Sequence, residues 1–369
     1  MKKLIVAVIC LSLLLTGCGP IGATYRELDQ LLLIRTLGID AAYGTILLSA
    51  GAKADDESSA ETLSSRGATL SEAVDSLHNS AYAEELFFHQ TQNIVIGERT
   101  AEKGVSTHLS YICQSPEVRL GVPVYIAEET TANELLFSVA EDGEGVSAVL
   151  EAIETENERR NVPVFSAADI ARGIGQRGSA LACAIKMQKS EEESSPTAIF
   201  SGYGILKEGY LRGYIGTENL GGLGMLLDRV PICLITVRDM YGADVTVELS
   251  GGKTAFSPEF DGEELTSLGI SCEVSAAVSE ISGSGSLSVD GYALFLEKQL
   301  EAELMRQARE VLALSQELNS DFLGLKERTE LAAPMKTARM RDGFSAVFPG
   351  LNVALSVRAS ITHSNDIGD

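Results

Sequence analysis

The sequence predicts an α+β fold: mixed sheets flanked by helices, ending in a largely antiparallel C-terminal region with a long amphipathic helix. Three observations lead there. Short apolar runs alternate with helical periodicity through the first half, as at 93–97 and 146–159. Residues 269–289 and 352–361 alternate apolar with small polar residues, the period of a half-buried strand. Leu296, Leu300, Leu304, Ala308 and Leu312 recur every four residues, which places them on one helix face. At 369 residues and 39.2 kDa the chain exceeds one compact core, and its length points to two or three domains. With 45 % hydrophobic and 22 % charged residues it is neither collagen-like nor disordered. The net charge of −23 repels phosphate backbones, so no nucleic-acid partner is expected. Trp is absent and aromatics total 6 %, which argues against an aromatic-lined sugar or peptide platform.

At the N-terminus, Lys2 and Lys3 precede an apolar run from Leu4 to Leu15. As a helix that run spans roughly 18 Å, well short of the ~30 Å hydrocarbon core, so residues 1–17 read as a signal peptide rather than a membrane span. Leu15-Thr16-Gly17-Cys18 resembles the bacterial lipobox, and by that resemblance Cys18 becomes the lipidated N-terminus of the mature chain, carrying diacylglyceryl and palmitate-type acyl groups. Residues 18–24 then form the tether. Cleavage removes two of the 29 Lys+Arg and makes the body still more acidic. No later apolar run approaches the length of a span. Of the remaining thiols, Cys113, Cys183, Cys233 and Cys272 allow two disulfides in an exported protein. Their apolar settings also suit free buried cysteines, and no C-x-x-C favours a redox or zinc site.

Arg26 to Asp40 reads as a short helix turning into a strand, paired with a strand at 45–53 across Tyr43-Gly44. Residues 55–65, rich in Asp, Glu and Ser, read as an exposed loop. Thr69-Leu70-Ser71-Glu72 carries capping chemistry for a helix through residue 79. A strand at 93–97, a helix near 104–113 and a strand at 118–127 follow. Helices are expected at 131–139 and 146–159, a strand near 162–165, a helix near 167–172 and a strand at 179–187.

Residues 189–197 have linker composition. Beyond them come a hairpin (197–206 and 210–215), a helix near 217–227, and strands at 232–237 and 243–249. The alternating stretch 269–289 is interrupted by Ser282-Gly283-Ser284-Gly285-Ser286, read as a bulge or turn. The long helix ends near Leu318, a short helix follows around Phe322 and Leu325, and a strand closes the chain at 352–361.

The chemical motifs are weak. Gly173-Ile174-Gly175-Gln176-Arg177-Gly178 matches G-x-G-x-x-G but follows a helix where a dinucleotide site needs a strand, so it reads as a helix end and turn. Ser250-Gly251-Gly252-Lys253 matches S-x-x-K but lies between strands, with no helix to present Ser and Lys on one face; it reads as a loop. His78, His89, His108 and His363 have no metal-ligand spacing, and the acidic runs lack calcium-loop glycines. No catalytic residue, metal site or cofactor is expected. Lys336, Arg339 and Arg341 form a basic island in an acidic protein. They are candidate contacts for lipid headgroups or an acidic partner face, against the plainer reading of a solvated loop.

The order of motifs resembles the Ger(x)C family of spore germination lipoproteins. It runs from the lipobox through Arg26-Glu27-Leu28, Leu37-Gly38-Ile39-Asp40, Ile94-Val95-Ile96-Gly97-Glu98 and Pro116-Glu117-Val118-Arg119-Leu120. In the second half it continues with Ala198-Ile199-Phe200, Leu211-Arg212-Gly213-Tyr214, Thr217-Glu218-Asn219, Asp321-Phe322-Leu323-Gly324 and Phe348-Pro349. No single motif is specific; their order and spacing are. The chain departs from the family in lacking Trp and in reading Phe87-Phe88-His89-Gln90 where the family has Phe-Phe-Gly-His. The resemblance implies three mixed α/β domains, here divided at 25–130, 131–196 and 197–369. It also implies the role of a lipid-anchored C subunit of a nutrient germinant receptor, non-catalytic, on the outer face of the spore inner membrane beside the integral membrane A and B subunits. A solute-binding lipoprotein of a membrane transporter is the alternative, and it would be expected to show two doubly wound lobes around a cleft.

Overall fold

The computed structural model describes residues 31–42, 44–53, 61–80, 85–139, 145–188, 196–283, 285–340 and 343–362. The signal peptide, Cys18 and the tether lie outside the described residues, as do most of the expected linker and much of the acidic loop.

One nine-stranded sheet dominates the first two-thirds of the chain. Its strands are β1 (Leu31–Ala42), β2 (Thr45–Lys53), β3 (Glu61–Gly67), β4 (Glu85–Phe87), β5 (Asn93–Gly97), β6 (Val124–Glu128), β7 (Ser179–Gln188), β8 (Thr197–Lys207) and β9 (Tyr210–Gly216). The order is β3-β2-β1-β5-β6-β7-β8-β9, with β4 alongside the start of β1. The four central strands β1, β5, β6 and β7 are parallel, and an antiparallel pair extends each side.

Parallel strands must be covered on both faces, and the sequence supplies this by alternation within apolar runs. Ile94, Ile96, Val124, Ile126, Ala180 and Ala182 point to one face; Val95, Tyr125, Ala127, Leu181, Cys183 and Ile185 point to the other. Helices α1 (Leu70–Ser80), α2 (Glu98–Lys103) and α3 (Ser106–Gln114) cover the first face, and α4 (Ala132–Val139) and α5 (Gly145–Arg159) cover the second. Helix α6 (Ala167–Arg177) joins the first group. A Ser166/Asp169 capping box starts it and Gly178, in the left-handed region at φ 68°, ends it.

A second sheet, β10 (Leu234–Arg238), β11 (Asp244–Asp261), β12 (Glu264–Ile281) and β13 (Asn352–Thr362), is antiparallel except for its last pair, β12 with β13, which is parallel. The long helix α8 (Tyr292–Glu317) lies on it with Leu296, Leu300, Leu304, Ala308 and Leu312 buried, the stripe read from the sequence. Helix α7 (Leu220–Leu226) leads from β9 into this sheet and packs on α8 at Gly222. A Cβ there would sit 2.4 Å from the Ala308 amide nitrogen, and the Gly222 N–H donates to Gln307 Oε1 at 3.0 Å. Three short helices, α9 (Leu325–Ala332), α10 (Pro334–Thr337) and α11 (Phe344–Val347), lead to β13. One apolar cluster runs from Tyr203 and Ile205 of the first sheet to Leu268, Ile270 and α8 of the second. The large sheet takes strands from all three expected segments, so the divisions at 130/131 and 196/197 fall within one sheet.

Several expectations need correction. No helix occupies 31–35: Leu32 and Ile34 are buried and Leu33 and Arg35 less so, an alternation that an all-apolar run conceals. Residues 61–65 belong to β3 rather than a loop, because an edge strand with exposed or half-buried side chains carries little hydrophobic signal. The helix expected near 104–113 is α3, and the sequence reading missed the short α2 before it, parted from α3 at Gly104 with φ 119°. The strand expected at 118–127 begins only at Val124, after a turn closed by the Val122 N–H on the Arg119 carbonyl. Residues 162–165 form no strand. Pro163 lacks an amide to donate, and its carbonyl accepts the Tyr203 hydroxyl at 2.7 Å instead. Ser250–Lys253 lies within β11, at a bulge, rather than in a loop.

Candidate functional site

Two of the three residues of the basic island are described, and both are exposed. The Lys336 ammonium in α10 sits 5.5 Å from the centre of the Phe260 ring, at the end of β11. Arg339 follows in the next turn, its side chain without a hydrogen bond or ion pair among the described residues. Arg341 and Cys18 lie outside the described residues.

The segment leading into these helices ties the two sheets together. Asp321, buried, accepts the N–H groups of Leu325 and Lys326 at 2.7 and 2.8 Å and so caps α9. Just before it, the Ser320 and Ser179 hydroxyls meet at 3.0 Å at the start of β7, and Lys207 Nζ at the end of β8 donates to the Leu318 carbonyl at 2.9 Å. Arg177, in the last turn of α6, pairs with Glu327 of α9 at 3.1 Å. Asp321-Phe322-Leu323-Gly324, one of the motifs carrying the family resemblance, is therefore a junction. The sequence marks the motif but not the contacts of its neighbours Leu318, Ser320 and Glu327, whose partners lie more than a hundred residues away.

The motifs with chemical look-alikes have structural settings. Gly173 and Gly175 lie inside α6, and a Cβ on Gly173 would come within 2.7 Å of the Ser179 carbonyl oxygen. The Ser250 hydroxyl donates to the Ser275 carbonyl across the hairpin at 3.2 Å. His108 is buried in α3, and that burial lowers its pKa and favours the neutral ring. No group of three metal-ligating side chains occurs among the described residues. Cys113, Cys183, Cys233 and Cys272 are free thiols. Burial pushes Cys183 up to about 12 and Cys233 up to about 11, far from the thiolate that redox or nucleophilic chemistry needs. Arg119 Nε donates to the His89 carbonyl at 3.3 Å.

The family model described as spore germination protein N-terminal domain matches residues 24–187, and the one described as spore germination B3/GerAC like, C-terminal, matches residues 201–365. Their division falls at the stretch read as a linker. The crystal structure of the GerBC protein superposes with a TM-score of 0.61, covering 88 % of this chain and 96 % of that chain at 17 % sequence identity, which establishes a shared fold. No curated protein matches the chain. Both halves, in order and over nearly the whole length, thus lead to one conclusion: the chain belongs to the Ger(x)C family of spore germination proteins, the family of germinant-receptor C subunits.

Proposed function

We propose that this protein is the lipid-anchored, non-catalytic C subunit of a spore nutrient germinant receptor, assembling with integral membrane A and B subunits on the outer face of the spore inner membrane. The observation that carries this reading is the match of both halves to the family, at 24–187 and 201–365. The lipobox ending at Cys18 supports the anchor. One acyl chain binds a membrane only marginally, whereas two or three, at ~0.8 kcal/mol per buried CH₂, hold a protein there essentially permanently. Among the described residues no helix is long and apolar enough to cross a membrane, so the anchor is what would supply attachment. Confinement to the membrane plane raises the effective concentration of the body toward membrane partners, and its contribution is binding and positioning. A continuous core linking one nine-stranded and one four-stranded sheet does not resemble the paired lobes of a solute-binding protein.

Replacing Cys18 by Ala tests the anchor. The variant is expected in the soluble fraction of spores, with nutrient-triggered germination reduced. A variant that stays in the membrane and germinates normally would remove lipidation from the account.

A further inference from the structure

A cleft opens where α6, the turn after α7 and the head of α9 meet. It consists of two contiguous cavities of about 390 and 300 Å³ that share Phe165, Arg177, Arg229, Phe322 and Glu327. Their combined charged lining is Arg172, Arg177, Arg229 and Arg328 against Asp169 and Glu327. In a chain of net charge −23 this reverses the local sign.

Both carboxylates are already engaged, Asp169 with Arg172 at 3.2 Å and Glu327 with Arg177 at 3.1 Å. Arg328 gives Nη2 to the Leu227 carbonyl at 2.7 Å and stacks 4.2 Å from the centre of the Phe256 ring. Asp228, next to Arg229 in sequence, accepts the Thr254 amide at 2.8 Å. What remains is donor capacity without an acceptor. The Arg229 side chain has no hydrogen bond or ion pair among the described residues, and Arg177 Nε is buried without a partner. The Arg229 backbone is fixed, its N–H donating to the Gly224 carbonyl at 2.8 Å. Beside this cationic wall stand Phe165, Phe322 and Leu331, the last of them 78 % exposed.

We propose that the cleft binds a small organic anion, a carboxylate or phosphate monoester joined to an apolar body. Arg229, backed by Arg177, holds the anionic group, and Phe165 and Phe322 pack against the apolar part. A planar guanidinium matches both oxyanions through paired N–H donors. The volume lies at the lower end of the range for small-molecule sites, and few convergent polar groups on an apolar wall are the usual makeup of such sites. The inference rests on this geometry alone and stands whether or not the chain acts in a receptor.

Calorimetric titration of the full-length protein in detergent tests it, with phenylacetate and phenyl phosphate as probes and 2-phenylethanol as the uncharged match. At least one anion is expected to bind in the micromolar to millimolar range while the alcohol does not. Arg229→Ala should weaken binding roughly tenfold or more, the worth of a charged hydrogen bond, with Arg229→Lys recovering part of it. Arg66→Ala, exposed on β3, should leave it unchanged. Because Arg229 is exposed, all variants should melt like the parent, which separates lost binding from lost fold. Absence of binding by both anions, equal binding of the alcohol, or an unchanged affinity in Arg229→Ala would overturn the proposal.

Discussion

Asp321 and Asp40 do the same work in two parts of the chain: each buried carboxylate caps a helix through two backbone amides. Asp321 serves α9, while Asp40 reaches from β1 to the Ala132 and Asn133 N–H groups of α4 at 3.1 and 2.8 Å. Removing such a cap costs about 1–2 kcal/mol, so Asp321→Ala should lower the urea midpoint accordingly with little change in slope. Burial raises the Asp321 pKa above the ordinary aspartate value of 3.8, against the lowering effect of the amides and Arg177. A carboxyl whose folded-state pKa exceeds its unfolded one contributes most below the unfolded value and loses that contribution as pH rises through the folded one. The stability deficit of Asp321→Asn should therefore be largest below pH 3.8 and shrink as pH rises through the folded value; a deficit that grows with pH would contradict this assignment. Asp40 was legible as a strand-terminal residue in Leu37-Gly38-Ile39-Asp40, but its partners lie 92 and 93 positions away, beyond any local pattern. The cleft arginines escaped sequence reading for the same reason: Arg177 and Glu327 are 150 positions apart.

Among the elements, α8 was the plainest in the sequence because its four-residue repeat follows directly from helix geometry, and the structure buries that stripe. Strand β3 and the outer half of β11 were not legible. Their side chains are mostly exposed or half-buried, and only the ladder to a neighbour defines them. Two features of α8 lend themselves to tests. Gly222 lets α7 approach the α8 backbone, so Gly222→Ala must push the helices apart and should destabilise by about 1–3 kcal/mol, read by thermal or urea unfolding. On the other side, Glu301 and Glu297 accept the Ala359 and Ile361 N–H groups at 3.2 and 3.0 Å, covering part of the open edge of β13. Uncapped strand edges recruit other strands. The double variant Glu297→Ala, Glu301→Ala should show concentration-dependent self-association by sedimentation where the parent does not.

At the scale of the whole molecule, the alternation of apolar strands and helices gave a mixed sheet, and period-two patterns gave a second, mostly antiparallel one. How they join could not be read locally. The shared core, the Ser179–Ser320 contact and the Lys207 bond to Leu318 link distant segments. The receptor role rests on family membership of both halves together with the lipobox, and it makes a demand on the intact spore. The most direct measurement is affinity co-purification of tagged full-length protein from detergent-solubilised spore membranes, with Cys18→Ala alongside. The account predicts recovery of two integral membrane receptor subunits with the parent and their loss or depletion with the variant. Recovery of transporter components from vegetative membranes, with no receptor subunits from spores, would contradict it.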